Sequence, residues 1–236
     1  EAIYTKKKLE HSELKNFISE IRNKKIDGAN ITVPFKKNVI PYLDQLSQEA
    51  QKTNSVNTIY SKNDILIGDN TDVFGFEQSL NVINYDVSGK RILILGAGGV
   101  VPSIIFALYR MNVSKIVITN RTKEKAEIIK NFFNDLEIID WGQACDFDMV
   151  INATSLGLNY KDKINLNYLN TIKNKFFYDV IYNPPETQFL KNGKILGNKT
   201  ENGKMMFIFQ AYEAFNIWHK FKPKIDKKTI SIVKND

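Results

Sequence analysis

The segment that most constrains the fold is a short apolar run that ends in a cluster of glycines. Residues 91–95 read RILIL, Gly96-Ala97-Gly98-Gly99 follow directly, and a second apolar run extends from Val100 to Leu108. A short apolar run closed by glycine is typical of a buried parallel strand, and the longer run has helical spacing. Pro102 suits the first turn of that helix, where no backbone hydrogen bond is lost. Strand, glycine turn and helix together direct helix N-terminal amides at a phosphate.

The glycine motif alone leaves two interpretations open, a dinucleotide-binding turn and a plain structural turn. Gly96 permits a tight turn, and Gly98 lets the backbone approach a pyrophosphate closely. Val101 stands where glycine or alanine is usual, so we expect the helix to sit slightly further from the strand. The candidate cofactor contacts of this loop are Gly96, Ala97, Gly98 and Gly99.

The residues after the next predicted strand favour the dinucleotide interpretation. The strand SKIVIT, residues 114–119, runs into Asn120-Arg121-Thr122, with Lys125 one helical turn further on. An acidic residue here would bind the free ribose hydroxyl of NAD, but the chain has Arg121 and no acid before Glu124. Because a guanidinium group matches a phosphate, the sequence predicts NADP over NAD. The alternative is a solvated basic helix start, although cations oppose the helix dipole there.

Length and composition exclude several classes of protein. The chain has 236 residues, a length that suits two small α/β domains, and 43% of them are hydrophobic. No apolar stretch approaches a membrane span, and no signal core is recognisable, so we expect a cytoplasmic protein with no membrane partner. The single cysteine, Cys145, excludes an internal disulfide, and His11 and His219 are isolated from each other. We therefore predict no metal site and no catalytic triad.

The positive charge lies in one half of the sequence. The net charge is +7, yet residues 1–80 hold 11 Lys/Arg and 11 Asp/Glu, so residues 81–236 supply the excess. A basic half suits a phosphate-rich cofactor. Nucleic-acid binding is the competing interpretation, but the lysines are scattered and do not cluster with aromatic residues. We expect no nucleic-acid partner.

The first half of the chain predicts a small α/β unit. Its expected elements are a strand at 2–4, a helix capped by Ser12, a strand at 29–36 ended by Pro34, helices at 35–43 and 45–53, strands at 54–60 and 65–68, and a helix at 73–82. Lys36 and Asp72 each follow a strand, where α/β sheets bind ligands. Either could be an ordinary surface charge, but with Asn57 and Thr32 they form a candidate polar pocket facing the glycine loop.

Further buried strands follow the glycine loop. Residues 148–151 and 176–181 are apolar runs with polar ends, and a long amphipathic helix is predicted from Lys204 to Lys220. The repeated order of strand, polar end and helix predicts one doubly wound sheet over residues 91–200.

Taken together, these segments resemble the shikimate dehydrogenase family. The matching segments are GANITVPFK (28–36), VNTI (56–59), GDNTD (68–72), the loop 96–99, NRT (120–122), NATSLG (152–157), DVIYNP (179–184) and GKMMFIFQ (203–210). They occur in family order across nearly the whole chain, which is a specific signal.

The resemblance implies a fold, a set of site residues and a domain division. The implied fold is α/β with two α/β domains, a Rossmann-type doubly wound NADP-binding domain and a smaller substrate-binding catalytic domain. The implied divisions are 1–80 for the catalytic domain, 81–203 for the NADP domain, and 204–236 for C-terminal helices that return to the first. The implied residues are the catalytic Lys36 and Asp72, the substrate contacts Thr32, Asn57, Tyr182 and Gln210, the 2′-phosphate contacts Asn120, Arg121, Thr122 and Lys125, and the nicotinamide-side Thr154, Ser155, Gly203 and Met206.

The implied reaction is reversible reduction of 3-dehydroshikimate to shikimate by NADPH, in a monomer or homodimer. The family's Ser-x-Ser-Pro-x-x-His-Asn segment is not matched, and from this we expect an N-terminally truncated chain. Two alternatives stay open: a quinate/shikimate dehydrogenase of broader specificity, and an inactive fragment that still binds nucleotide.

Overall fold

A computed structural model of the chain describes residues 2–159 and 161–233, which form two β-sheets and eight α-helices. The strands are β1 (Gly28–Asn30), β2 (Gln45–Leu46), β3 (Thr58–Lys62), β4 (Ile65–Asp69), β5 (Arg91–Leu95), β6 (Lys115–Thr119), β7 (Glu137–Ile139), β8 (Met149–Asn152), β9 (Phe176–Asp179) and β10 (Lys199–Glu201). The helices are α1 (Leu14–Arg22), α2 (Gln48–Thr53), α3 (Thr71–Val82), α4 (Val101–Arg110), α5 (Lys123–Lys130), α6 (Gln188–Ile195), α7 (Lys204–His219) and α8 (Lys227–Ile232).

The larger sheet has six parallel strands in the order β10-β9-β8-β5-β6-β7. The apolar residues 92–95 of β5 are fully buried, as expected of a central parallel strand covered on both faces. The strand order reverses between β5 and β8, which creates a crevice at the carboxyl ends of these two strands. The predicted Rossmann-type sheet is therefore confirmed, and the glycine loop after β5 lies at its switch point.

The smaller sheet has four strands in the order β1-β3-β4-β2. The β3–β4 hairpin is antiparallel, β1 pairs antiparallel with β3, and β2 pairs parallel with β4. Helix α1 covers this sheet with Leu14, Phe17, Ile18 and Ile21, all of which are buried. The predicted α/β character of the first half is confirmed.

Four local predictions in this half were wrong. Residues 2–4 form no strand, and Ile3 and Tyr4 are exposed. Ser12 does not cap α1; a short 3-10 turn precedes the helix, and Glu10 and Glu13 cap that turn. Strand β1 ends at Asn30, well before Pro34. Residues 35–43 form turns and one 3-10 turn at Ile40–Tyr42, because Pro41 has no N–H to continue a helix.

The predicted helix over residues 45–53 is divided. Gln45 and Leu46 form β2, and Ser47 then caps α2 by accepting a hydrogen bond at its Oγ from the backbone N–H of Ala50, 3.2 Å away. The pairing partner of β2 is β4, some twenty residues downstream, so no local pattern indicated this strand.

Helix α7 packs most extensively against α3. Gly75 of α3 permits this close approach: a methyl group at that position would lie 2.7 Å from the carbonyl oxygen of Met206 and 2.9 Å from Cβ of Gln210. Near the other end of α7, the indole N–H of Trp218 donates to the carbonyl oxygen of Ile59 at 3.1 Å. The last long helix of the chain therefore contacts both α3 and the smaller sheet.

Helix α4 contacts the first half of the chain at both ends. Near its start, Ser103 lies within hydrogen-bond distance of Asn70, which precedes α3. At its end, Arg110 forms ion pairs with Glu49 at 2.8 Å and with Glu77 at 3.0 Å. Within residues 2–159 and 161–233, no helix is both long and apolar enough to cross a membrane.

Candidate functional site

A lysine and an aspartate meet where the first half of the chain faces the glycine loop. The ammonium nitrogen of Lys36 lies 2.5 Å from Oδ2 of Asp72, and the two side chains are only 14% and 9% exposed. Lys36 lies in the turns after β1, and Asp72 is in the first turn of α3, where a negative charge is favoured by the helix dipole. A largely desolvated pair of this kind can hold and move a proton.

Asn57 fixes the orientation of Asp72. Its side-chain amide donates to Oδ1 of Asp72 and to Oγ1 of Thr71, both at 3.0 Å. Its side-chain oxygen, Oδ1, accepts a hydrogen bond from the backbone N–H of Thr71 at 2.8 Å and another from the hydroxyl of Thr58 at 3.0 Å. Both oxygens of Asp72 therefore have partners, and Asn57 is fully engaged at the base of the pocket.

The turn that carries Lys36 also faces the nucleotide loop. The backbone N–H of Ile31 donates to the backbone carbonyl oxygen of Asn57, and the backbone N–H of Val56 donates to the backbone carbonyl oxygen of Lys36. These bonds anchor both ends of the turn, while Thr32 and Val33 between them are exposed. A methyl group on Gly99 would lie 3.8 Å from Cγ2 of Val33, so this turn lies next to the glycine loop, at the crevice between β5 and β8, which we call the cleft.

Gln210 and Tyr182 both contact Phe207 of α7. Gln210 lies against Gly75, one helical turn from Asp72, and its amide donates to the carbonyl oxygen of Phe207 at 2.9 Å. The ring of Tyr182 stacks on that of Phe207 with centroids 4.5 Å apart. Phe207 therefore connects Tyr182 with α7, and the assignment of Tyr182 and Gln210 to one substrate site stays a prediction.

The glycine loop offers unpaired amides to an anion. Gly96 has φ +109°, and a methyl group there would lie 2.8 Å from the carbonyl oxygen of Ala153, so only glycine fits. The N-cap of α4 is Val100, which supplies no side-chain acceptor. In the part of the chain that the structure describes, the N–H groups of Gly98, Gly99 and Val100 have no protein acceptor. The geometry fits a pyrophosphate at a helix N-terminus.

A basic group lies at the end of β6, the neighbouring strand. Arg121, Thr122 and Lys125 are exposed, and the amide of Asn120 donates to the carbonyl oxygen of Thr122 at 2.7 Å, which shapes the turn. Thr122 is the N-cap of α5 but makes no side-chain cap bond. Among the described residues Lys123 pairs with Asp140 at 2.7 Å, whereas no ion pair engages Arg121 or Lys125. This arrangement fits a phosphate on the ribose.

A buried carboxylate ties together the loops that carry Thr154 and Tyr182. Oδ1 of Asp179 accepts from the Asn152 amide and from the N–H of Ile181, both at 3.0 Å, and Oδ2 accepts from the hydroxyl of Thr187 at 2.5 Å. Burial raises the pKa of Asp179 to about 6, although these hydrogen bonds act in the opposite direction.

Asn152 extends this network to Thr154. The side-chain oxygen of Asn152, Oδ1, accepts hydrogen bonds from the backbone N–H of Thr154 at 3.0 Å and from its hydroxyl at 2.7 Å. Thr154 is half-buried beside Gly96, whereas Ser155 is exposed at the cleft. Gly203 and Met206 begin α7 on the same side, and the N–H of Gly203 donates to the carbonyl oxygen of Ile181.

Asn70 and Ser103 were not predicted from the sequence. Both are fully buried, and together they connect the start of α3 with the start of α4. Asn70 belongs to the GDNTD motif, but no sequence pattern pairs it with a serine thirty-three positions away.

Comparisons with known proteins agree with this geometry. Residues 1–59 match the family model described as shikimate dehydrogenase substrate binding domain, and residues 78–184 match shikimate / quinate 5-dehydrogenase. The chain is 56% identical over 232 residues to the shikimate dehydrogenase (NADP(+)) of Pelagibacter ubique, covering 98% of this chain and 88% of that protein. The chain belongs to the shikimate dehydrogenase family.

Solved shikimate dehydrogenases have the same architecture. The enzyme from Aquifex aeolicus superposes with a TM-score of 0.85 at 34% identity, covering 95% of this chain and 83% of that one. The Thermus thermophilus enzyme, solved in complex with NADP(H) and shikimate, superposes with a TM-score of 0.84 at 28% identity, covering 95% and 84%. The two-domain α/β fold expected of a family member is therefore confirmed.

Proposed function

We propose that this protein catalyses the NADP-dependent, reversible interconversion of shikimate and 3-dehydroshikimate. The observation that carries the proposal is the Lys36–Asp72 pair, which is largely desolvated and whose lysine lies on a turn next to a pyrophosphate-type glycine loop. A ketone reductase needs a hydride donor on one side of its substrate and a proton donor on another, and this cleft provides for both. The NADP(+) enzyme of Pelagibacter ubique and the Thermus thermophilus complex support the choice of substrate and cofactor.

NADPH, when bound, supplies the hydride that adds to the carbonyl carbon of 3-dehydroshikimate. Lys36 donates a proton to the ketone oxygen as the carbon–oxygen π bond breaks, and takes the proton back in the oxidation of shikimate. Asp72 accepts one N–H of the ammonium group and leaves its other hydrogens to the cleft. Asn57 keeps Asp72 in that orientation through Oδ1. The protein thus holds the proton at a defined position.

The cofactor is assigned to the six-stranded sheet. The amides of Gly98, Gly99 and Val100 would bind the pyrophosphate, and Gly96 and Ala97 would form the turn that admits it. The 2′-phosphate would lie at the end of β6, against Arg121 and Lys125, with Asn120 and Thr122 shaping the turn. The nicotinamide side is assigned to Thr154, Ser155, Gly203 and Met206.

The substrate is assigned to the opposite wall. Thr32, Tyr182 and Gln210 offer hydroxyl and amide groups to a polyhydroxylated ring. Asn57 is assigned to the same wall, where its side chain orients Asp72. Tyr182 and Gln210 both contact Phe207, and Gln210 also lies against Gly75, which is one helical turn from Asp72 on α3. We propose a division into residues 1–80 for substrate, 81–203 for NADP and 204–236 as helices that return to the first domain. Its support is the close approach of α7 to α3 at Gly75, although residue 80 falls within α3.

The test is the initial rate of shikimate oxidation, followed by the appearance of NADPH. We expect turnover with shikimate and NADP, and much less with NAD, because Arg121 matches a 2′-phosphate that NAD lacks. Quinate serves as the substrate control: equal rates with quinate would favour a broader quinate/shikimate dehydrogenase. Binding of NADPH without turnover of either substrate would instead support the inactive nucleotide-binding alternative. The cytoplasmic location and the monomer or homodimer state remain predictions.

A further inference from the structure

We propose that Asn70 and Ser103 act together as positioning residues, holding the phosphate-binding helix α4 in register with the catalytic Asp72. This inference rests on the proposed function, because it concerns the relative placement of the cofactor and the proton donor. Asn70 directly precedes α3, and Ser103 lies in the first turn of α4.

Asn70 contacts Asp72 through the backbone. Its side-chain oxygen accepts a hydrogen bond from the N–H of Asp72 at 3.1 Å, so Asn70 caps the helix that carries the catalytic carboxylate. Its side-chain nitrogen lies 2.9 Å from Oγ1 of Thr53 and 3.0 Å from the carbonyl oxygen of Ser55. The cap is therefore also tied to the end of α2.

Ser103 completes the hydrogen bonding of Asn70 from the other domain. Its hydroxyl lies 2.9 Å from Nδ2 and 3.2 Å from Oδ1 of Asn70. The Asn70 amide has two hydrogens but three acceptors within reach: Oγ1 of Thr53, the carbonyl oxygen of Ser55 and Oγ of Ser103. All of these groups are satisfied when Thr53 and Ser55 accept one hydrogen each and the Ser103 hydroxyl donates to Oδ1 of Asn70. In that arrangement, one oxygen atom accepts from Asp72 on α3 and from Ser103 on α4.

Burial makes this connection rigid. Asn70 is 1% exposed and Ser103 is 0% exposed, so water has little access to replace a lost bond. The Arg110 ion pairs at the other end of α4 are half-exposed and contribute less to a fixed geometry. The Asn70–Ser103 contact is thus the buried polar link between the catalytic helix and the helix whose start faces the cofactor.

This placement bears on turnover more than on affinity. The cofactor binds mainly to the glycine loop and the end of β6, and the substrate to the opposite wall, so each site survives a small shift of α4 against α3. Hydride transfer and proton transfer, however, must occur on the same carbonyl group. Because a displacement of about 1 Å can reduce turnover by up to 10²-fold, loss of the link should lower kcat.

The experiment compares Ser103→Ala, Asn70→Ser and the double variant with the unmodified protein. Ser103→Ala removes only the bond between the domains. Asn70→Ser keeps an N-cap oxygen but is too short to reach Ser103. The matched control is Ser55→Ala, which removes a buried hydroxyl that has no hydrogen-bond partner among the described residues. Each protein is assayed for kcat, for KM of shikimate and of NADP, for direct NADPH binding by fluorescence, and for its melting temperature.

We expect Ser103→Ala to lower kcat about tenfold, with both KM values and the NADPH affinity within twofold of the unmodified protein. Ser55→Ala should leave kcat within twofold. The double variant should be no slower than the slower single variant, because both substitutions break one link.

Three results for the variants would overturn this inference and leave the proposed function standing. Additive losses of kcat in the double variant would show that the two residues act separately. A kcat for Ser103→Ala equal to that of Ser55→Ala would show that the link does not affect catalysis. A loss of NADPH affinity or of melting temperature that accounts for the whole effect would indicate local binding or a merely structural role. An inactive unmodified protein would overturn the proposed function, and this inference with it, whereas an active one with unaffected variants would overturn only this inference.

Discussion

The ammonium group of Lys36 is paired with Asp72 and is the proposed proton donor, so its removal is the most direct test at the scale of one residue. We expect Lys36→Ala to lower the turnover of shikimate by about 10²–10⁴, the usual loss for a general acid or base. NADPH binding should persist because Lys36 lies in the substrate wall. Steady-state rates and NADPH fluorescence measure the two effects. The neighbouring exposed Lys37→Ala is the control, and near-normal turnover of Lys36→Ala would remove Lys36 from the mechanism.

Arg121 should determine the choice of cofactor. Its guanidinium is exposed at the end of β6 and has no ion-pair partner among the described residues. We expect Arg121→Ala to weaken NADPH binding about tenfold to hundredfold, the equivalent of one or two charge-assisted hydrogen bonds, and to leave NADH binding nearly unchanged. Lys130→Ala, at the far end of α5, serves as the control in the same titrations. Equal losses for NADPH and NADH would contradict the assignment of Arg121 to the 2′-phosphate.

Among single residues, those with charge and a strand-end position were predictable from the sequence, and those that act through a neighbour were not. Lys36 and Asp72 follow strands, and Arg121 stands where an acid would favour NAD, so local position indicated each. Asn70 and Ser103 are neutral, buried and thirty-three positions apart. Only the packing of α3 against α4 brings them together, and no local sequence pattern predicts that packing.

At the scale of elements, the close contact of α3 with α7 depends on Gly75. We expect Gly75→Ala to push α7 away, since the added methyl would meet the carbonyl oxygen of Met206 at 2.7 Å. Overpacking of this kind costs about 1–3 kcal/mol of stability. Because Gln210 lies at the same contact, KM for shikimate should rise as well. Urea unfolding and substrate titration measure both effects, and exposed Asn81→Ala on α3 is the control. An unchanged KM would separate Gln210 from the substrate site.

The loops held by Asp179 give an expectation for pH. Burial raises the pKa of Asp179 from 3.8 to about 6. Between these values the folded state binds a proton that the unfolded state has lost, so this carboxyl makes the protein less stable as pH rises from about 4 to 6. The full change is about 3 kcal/mol, since one pKa unit corresponds to about 1.4 kcal/mol. Asp179→Asn cannot ionise, so its stability relative to the unmodified protein should improve over that interval.

Urea unfolding of both proteins at several pH values isolates this contribution from that of other carboxyls. Asp148→Asn is the control, because a hydrogen bond from the backbone N–H of Arg91 lowers the pKa of Asp148, and its removal should bring no gain between pH 4 and 6. If the stability difference between the unmodified protein and Asp179→Asn stays constant with pH, Asp179 does not titrate in this range.

The four central strands of the larger sheet, β5, β6, β8 and β9, were predictable because each is a short apolar run with a polar or glycine end. Strand β5 is an example, since burial on both faces is visible in its own residues. The edge strands β7 (EII) and β10 (KTE) have no such run and were not predicted. The strands within residues 29–46 were not predictable from local sequence. The length of β1 is set by its pairing with β3, and β2 is a strand only because it pairs with β4. Strands defined by distant partners leave little local signal.

At the scale of the whole molecule, the distribution of charge separates the two binding steps. Residues 81–236 carry the whole positive excess of +7, and they include the groups assigned to the phosphates of NADPH, whereas residues 1–80 have no net charge. We therefore expect NADPH affinity to fall steeply between low salt and about 0.5 M, where charges more than a few Å apart are screened. The KM for shikimate, a monoanion held largely by neutral groups, should rise less.

The same titration tests where the attraction originates. Arg121→Ala should flatten the salt dependence of NADPH binding, because it removes a cation next to the proposed 2′-phosphate position. Lys130→Ala should flatten it only slightly, since that charge is one of many on the surface. Isothermal titration at four salt concentrations gives each slope. Parallel slopes for all three proteins would mean that the general field of the basic domain attracts the cofactor, and that Arg121 adds no specific contact to it.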